Sequence, residues 1–477
     1  MNSEPILFKG AKVFDPLCLC FRNLDFVVQS QKIVETGTLS HLGYSTVNLK
    51  GYWVLPGFVD SHCHILGVGQ KEDVCNLEKF DDIHKMFEHI KHSLRSLSSP
   101  YVFRGWDETK LGIVPSRDLI RKFLGDVEIL LIRRCGHVAL ISEALEKKHG
   151  LHTKNGMVSE DQLSDLLQKI PHSLESLKIY LKKGCERALK HGVTTIHSDD
   201  LHRTNVVRLI TILRAQRKLR IQEELALKTP EEVCKLRKLF GFYSPHLAIP
   251  GIKIYLDGSL GGRTAYLEEE YSDEPGNRGV LNHTCKDLER FLNVCAANGL
   301  TLSIHVIGDG ALNAVLKTIY RVHRIPSIKL IHLQITKPEH IIKLKKLRVN
   351  ITVQPGFWKS DREMARSRIG DRMKYAYRFR DMYLKMLKVG FSSDAPVETI
   401  DPRYGIEAAM ELGFEWEEAV ALYTWGSAQL SSIPVFRNTG RIAKGYYADF
   451  LIYDSDPRKM CVPASVFVGG REVYPGR

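Results

Sequence analysis

Gly57-Phe58-Val59-Asp60-Ser61-His62-Cys63-His64 is the stretch from which the rest of the chain is read. Val54 and Leu55 before Pro56-Gly57, and Phe58 and Val59 after it, are bulky apolar residues that predict a buried strand over Val54 to His62. That strand delivers two imidazoles one residue apart, and its period of two puts both rings on one face. Two neutral histidine nitrogens held in this way form half of a first-row metal site. Taken alone, the motif is more often one packed histidine beside one solvated one, so the decision falls to the remaining strand ends.

Further runs of strand character follow at Gly192 to Asp199, Leu219 to Leu225, Gly251 to Asp257, Leu300 to Val306, Ile328 to Leu333, Arg348 to Gln354 and Gly390 to Asp394, with helical segments between them. With the opening strand they make eight, which predicts an α/β fold, a (β/α)8 TIM-like barrel with parallel strands. Polar residues gather at the C-terminal strand ends: His62 and His64, His197, Lys253 with Asp257, His305 with Asp309, His332, and Asp394. One histidine ending a core strand is weak evidence, whereas a series at successive strand ends is strong. Nitrogen and oxygen donors of this kind suit zinc or a similar divalent ion, one or two of them, and a catalytic site keeps a position open for water.

Both ends of the chain carry short strand-like runs, among them Ile6 to Phe8, Lys12 to Phe14, Leu24 to Val28, Asp449 to Asp454 and Val466 to Val473. They predict one small β-sandwich domain composed of residues 1–55 and 440–477, flanking the barrel over residues 56–439. Residues 66–185 break the repeat as a helical insertion after the first barrel strand, with a strand-like pair at Tyr101 to Arg104 and Ile129 to Ile132. Such an insertion is expected to be ordered, either walling a substrate cleft or packing on the barrel flank.

Composition narrows the classes. With 44% hydrophobic and 26% charged residues, the 477-residue chain reads as an ordered soluble protein. Ten cysteines without a CxxC read mostly as reduced core residues of a cytoplasmic protein, and alternation turns Cys63 away from the two histidines that flank it. No basic start with an apolar core and no run of 18 apolar residues occurs, which disfavours export and a membrane span. The net charge of +13 lies mostly on the helical segments Lys178 to Lys190, Arg203 to Arg220 and Lys337 to Arg348, each with an apolar face, so no nucleic-acid partner is expected.

Longer motifs carry a resemblance. GFVDSHCH, LSIHVIGDGA, IKLIHLQ and FSSDAPVETIDP resemble the amidohydrolase superfamily of metal-dependent hydrolases. IKIYLDGSLGGRTA, YVFRGWD, LLIRRCGHVALIS, ALYTWGSAQL and TGRIAKGYYADFLIYDSDP resemble its amidohydrolase family 3 branch, which includes N-substituted formamide deformylases. The likeness runs nearly end to end.

The resemblance implies that His62 and His64 ligate the more buried metal and that His305 and His332 form a second pair of ligands. Lys253 falls where such enzymes use a carboxylated lysine, made with carbon dioxide, to bridge two metals. The other readings of Lys253 are an ion pair with Asp257 or Asp309, or a plain amine near the substrate. Asp394 is implied as ligand and general base, with a helix cap before Pro396 as the alternative. His137, from the insertion, is read as a catalytic oxyanion donor or substrate contact, or else as a packing residue. Trp106, Asp257, Arg263, Thr264 and Asp309 are candidates for substrate binding or for ordering the loops around it; the glycines of Gly258 to Gly262 form no phosphate cradle. Two departures stand out. Ile331 sits where relatives commonly carry Glu, removing a partner for His332, and Gly310 sits where a larger, often basic residue is frequent.

The expected activity is metal-activated water attacking the carbonyl carbon of an amide-type small molecule. A deaminase or cyclic-amide hydrolase using the same site, and a catalytically silent metal-binding regulatory protein, are the alternatives. Substrate identity and oligomeric state, a homo-oligomer included, stay open.

Overall fold

The computed structural model describes residues 4–40, 43–72, 75–97, 99–134, 138–201 and 204–475. The chain divides into two compact units, one of Met1–Ile65, Cys185–Asp200 and Leu213–Arg477, the other of Leu66–Gly184 and Leu201–Ile212.

The first unit holds eight parallel strands: β1 (Phe58–Cys63), β2 (Val193–Ser198), β3 (Arg220–Ala226), β4 (Leu247–Tyr255), β5 (Thr301–Val306), β6 (Ser327–His332), β7 (Asn350–Val353) and β8 (Lys388–Phe391). They pair in chain order from β1 to β8. Every residue of β1, β2 and β7 is buried, as expected of parallel strands covered on both faces. Beyond the last ladder, Ser61 Oγ donates to the Phe391 carbonyl at 2.9 Å and Asp394 N–H donates to the His62 carbonyl at 2.9 Å. These contacts bring β8 back beside β1, giving a nearly closed (β/α)8 barrel of the TIM type. Crossover helices have orthodox ends: Thr284 caps Cys285–Asn298 in a capping box with Asp287, and Gly299, at φ +66°, ends it in the left-handed region.

The stretch from Val54 to His62 is two strands instead of one. Trp53–Pro56 pairs with the sheet of the chain ends, and the barrel strand starts only at Phe58. Gly57 makes the junction, where its N–H donates to the Asp449 carbonyl at 2.9 Å and a Cβ would lie 2.1 Å from Thr194 Oγ1. Both strands are buried, so the apolar run passes through the break without a mark.

The chain ends form one sheet separate from the barrel, in the order Arg471–Pro475, Ser465–Val468, Phe450–Tyr453, Trp53–Pro56, Ile6–Asp15, Cys20–Gln29, Lys32–Gly37, with Ser45–Asn48 pairing alongside Ile6–Asp15. Its core holds Phe8 stacked on Phe26 at 5.0 Å with Phe450 edge-on at 5.1 Å. The second unit contains a four-stranded sheet ordered Met157–Ser159, Val138–Ile141, Ile129–Arg133, Tyr101–Trp106. Of the nine described cysteines four are buried, Cys63, Cys75, Cys185 and Cys295, so the expectation of a mostly buried set is corrected: Cys18, Cys234 and Cys285 are exposed. Among the described residues no helix is long and apolar enough to cross a membrane.

Candidate metal centre

The C-terminal ends of the barrel strands converge side chains of metal-binding type. Donor atoms of His62, His332 and Asp394, all three buried, lie within 4.8 Å of one another. Asp394 Oδ1 is 3.2 Å from His62 Nε2 and 3.3 Å from His64 Nε2. The His305 ring stands 4.4 Å from that of His332, and Lys253 Nζ lies 3.4 Å from His62 Nε2. All six residues implied as ligands are therefore drawn into one cluster.

The hydrogen bonds around the rings decide which nitrogens face the cluster. His64 Nδ1 lies 2.5 Å from the Asp199 carbonyl, His332 Nδ1 2.8 Å from Gln354 Oε1, and His305 Nε2 3.1 Å from the Gly258 carbonyl. As donors to these oxygens they leave His332 Nε2 and His305 Nδ1 with lone pairs and turn His64 Nε2 toward Asp394, and such outer partners fix the ring orientation for metal binding. Gln354, at the end of β7, thus supplies the partner that Ile331 does not.

Two members are held in strained backbone. His332 has φ +81° and Asp394 φ +59°, in the left-handed region that non-glycine residues seldom adopt. Neighbouring bonds enforce both: Leu333 N–H donates to the Val306 carbonyl at 2.8 Å, and His64 N–H donates to the Ala395 carbonyl at 2.7 Å. Asp60 braces the Asp394 turn by accepting from Ser393 N–H at 3.0 Å and from Ser393 Oγ at 2.5 Å. Burial raises the Asp60 carboxyl to about 7 against these hydrogen bonds.

Burial first, then the nearby Lys253 charge, hold His62 well below the ordinary imidazole range; burial and His305 do the same for His332, and burial lowers His305 to about 3. These rings are neutral, the state a metal requires. Burial also lowers His64, but hydrogen bonding to Asp394 outweighs it and holds that ring at about 9. Three neutral imidazoles, a fourth that shares its proton with a carboxylate, and the carboxylate itself fit a divalent cation by their chemistry. Burial lowers the Lys253 amine, with the Asp199 charge opposing.

The other expected residues fall in different places. Asp257 accepts backbone N–H bonds from Ile307 at 3.0 Å, Gly308 at 2.8 Å and Tyr266 at 3.0 Å, and stands 3.7 Å from His305 Nε2. Asp309 accepts from Glu268 N–H at 3.0 Å and lies 3.2 Å from Lys337 Nζ. Both carboxylates are thus engaged in ordering loops, and the carboxylate beside Lys253 is Asp199, at 4.0 Å. Arg263 pairs with Asp273 at 3.0 Å, and Thr264 Oγ1 accepts from Ser259 N–H at 3.0 Å. Trp106 is 2% exposed in the core of the second unit, its indole N–H donating to the Leu131 carbonyl at 2.8 Å. His137 lies outside the described residues. A Cβ on Gly310 would lie 2.8 Å from the Leu267 carbonyl carbon, so no side chain fits there. His197 is buried with both ring nitrogens unpaired in the barrel interior. Residues that sequence reasoning passed over are Asp199, Tyr255, whose hydroxyl donates to Asp199 Oδ2 at 2.5 Å, and Gln354. Asp199 directly follows β2, so the strand-end rule that found Asp394 applies to it as well.

This geometry has relatives. A family model described as "Amidohydrolase family" matches residues 45–474. The chain belongs to the amidohydrolase family. This amidohydrolase is similar to a solved uncharacterized metal-dependent hydrolase from Pyrococcus furiosus, with a TM-score of 0.85 at 27% identity, over 95% of this chain and 99% of that one. A second such hydrolase, from Pyrococcus horikoshii OT3, gives 0.82 at 26%, over 95% and 98%. Among named proteins it is 29% identical over 458 residues to "Putative amidohydrolase YtcJ" of Bacillus subtilis (strain 168), covering 86% of this chain and 85% of the relative. The amidohydrolase fold, the family and the clustered donors together make this a metal-dependent hydrolase with a divalent metal site.

Proposed function

We propose that the protein hydrolyses the carbon–nitrogen bond of a small, non-peptide amide, with Asp394 as general base. The observation that carries this reading is the position of Asp394 Oδ1, 3.2 Å from His62 Nε2 and 3.3 Å from His64 Nε2, which puts one carboxylate oxygen among the donors in a strained loop. A divalent ion, zinc by its preference for these donors, would lower the pKa of the attacking water and polarise the carbonyl. His62, His64, His305 and His332 would hold it, with Asp394. Asp394 Oδ1 takes the proton of the attacking water and returns it to the leaving nitrogen, a transfer that needs one hydrogen-bond length.

Lys253 is completely buried, and burial favours the neutral amine that carbon dioxide requires, so carboxylation of Nζ would add a bridging ligand for a second ion. Arg263 and Thr264 are proposed to order the Gly258–Gly262 loop rather than to grip the substrate, since both are engaged within the chain. The proposed setting is the cytoplasm, without a nucleic-acid partner. A deaminase on the same site is the second reading; it needs one metal and no carboxylated lysine.

The test is metal content by elemental analysis, native-state mass of the intact chain beside a Lys253→Ala variant, and turnover of a panel of N-substituted formamides and N-acyl amino acids. Metal-dependent release of the amine from a panel member is the expected result. Wild-type metal stoichiometry in the His62→Ala, His64→Ala double variant overturns the ligand assignment. Ammonia release from an aminated ring, with the amide panel untouched, selects the deaminase.

A further inference from the structure

We propose that Cys18 and Cys20 form a reactive dithiol that closes an internal disulfide by exchange with small anionic disulfides. Cys18 lies in the turn after Ile6–Asp15 and Cys20 opens the strand Cys20–Gln29, on the sheet of the chain ends. Cys18 is exposed and Cys20 partly so, and their sulfurs are 2.7 Å apart, inside ordinary van der Waals contact. The backbone makes this approach. In an extended strand, residues two apart share a face but have Cα atoms close to the limit that a disulfide can bridge. Leu19, between them, lies at φ +53°, and this left-handed residue curls the chain so that both side chains meet.

A second observation lies beside the pair. A cavity of about 420 Å³ is lined by Cys20, Lys12, Arg22, Trp53, Arg458 and Glu417 among its residues. Arg22 pairs there with Asp15, and Arg458 with Asp456 at 2.6 Å and Glu417 at 3.9 Å, so Lys12 is the lining cation outside these pairs. Lys12 Nζ stands 4.5 Å over the Trp53 ring. A carboxylate-bearing disulfide is attracted by the Lys12 ammonium and by the chain's net charge of +13, whereas a cationic one is repelled by both.

The exchange balances as follows. The Cys18 thiolate attacks one sulfur of the incoming disulfide, forming a mixed disulfide and expelling one thiolate. Cys20 then loses its proton to solvent and its sulfur displaces the second thiolate from Cys18, leaving the Cys18–Cys20 bond. The incoming disulfide takes two electrons and becomes two thiols, and the chain loses two hydrogens. Contact with Cys18 pushes the Cys20 thiol up, which suits Cys20 to the second, resolving step.

The experiment uses the full chain, reduced and desalted, then exposed to equal concentrations of oxidised glutathione or of cystamine, with iodoacetamide quenching and peptide mass analysis. The expected product is a Cys18–Cys20 peptide lighter by two hydrogens and closed to alkylation, formed on the order of tenfold faster with glutathione disulfide than with cystamine. A Cys20→Ser variant is expected to stop with glutathione bound at Cys18. Two alkylated thiols after either reagent, or a bond between two chains, overturns the dithiol. Equal rates for the two reagents overturn the part assigned to the cavity.

Discussion

At the scale of the residue, the centre depends on groups whose partners are fixed before metal arrives. Asp394 Oδ1 bridges His62 and His64, so replacing it with Asn keeps the shape and removes the base. Asp394→Asn is expected to lower kcat by roughly 10²–10⁴ on any substrate the panel identifies, with KM changed far less, as steady-state kinetics will show. Gln354 gives a different signature. Its Oε1 holds His332 Nδ1 at 2.8 Å while its amide donates to Ser392 Oγ at 2.9 Å. Gln354→Leu frees the ring, and a loss of roughly 10–100-fold in metal affinity is expected in competition with a chelator. An unchanged affinity would mean that the ring is held by packing alone. The six clustered residues were legible in the sequence as polar residues near strand ends, and only the resemblance set them apart from His197, Asp257 and Asp309, which share that placement. Asp199, Tyr255 and Gln354 were not, because each acts on another side chain, and such pairings depend on distances that a linear pattern does not carry.

At the scale of the element, the eight barrel strands announced themselves as apolar runs, while the break at Gly57 was hidden because the strands on both sides of it are buried. The helix Pro402–Glu411 after β8 shows what a cap adds. Asp401 accepts from Arg403 N–H at 3.1 Å, and its carboxylate also pairs with the Arg403 guanidinium and lies 3.2 Å from His191 Nδ1. Burial raises this carboxyl, but the contact with His191 and the hydrogen bonds from Arg403 outweigh it and leave it well below the usual range. A folded-state pKa below the unfolded value of about 3.9 means that the stabilisation is present above that pH and is lost as pH falls through the folded value. Asn caps about as well as Asp, so Asp401→Asn removes the charge and keeps the cap. Its thermal midpoint is expected to fall below wild type at pH 7 and to converge with it as the pH drops below about 4. Asp401→Ala is expected to lose about 1 kcal/mol more at neutral pH, because the cap goes too. Parallel curves for wild type and the Asn variant from pH 7 to pH 3 would contradict the role of the charge.

At the scale of the whole molecule, the joining of the two chain ends to the barrel in the first unit runs through Asp449. Its carbonyl accepts from Gly57 N–H at 2.9 Å, where the first sheet strand hands over to β1, and its Oδ1 accepts from Gly469 N–H at 2.7 Å. The same carboxylate takes Arg220, the first residue of β3, in a fork of 2.6 and 2.9 Å with both side chains fully buried. Arg220 also lies 4.1 Å from the Tyr447 ring and donates to the Pro245 carbonyl at 2.7 Å. One residue therefore gathers the N-terminal strand, the C-terminal hairpin and a barrel strand; the sequence paired the two chain ends but not their tie to the barrel, because nothing in a strand pattern says which charge meets which. Asp449→Leu leaves a buried guanidinium without its carboxylate, and a buried pair broken on one side costs about 3–5 kcal/mol. The double variant Arg220→Leu, Asp449→Leu removes both charges and is expected to recover most of that loss, since a buried pair repays little more than its own desolvation. Chemical denaturation of wild type, the single and the double variant measures this directly. Because Arg220 opens β3 and the proposed metal ligands lie at the opposite strand ends, the double variant is also expected to keep its metal. A double variant as unstable as the single one would show that the fork stabilises the junction beyond desolvation, through the hydrogen bonds it shares with Pro245 and Gly469.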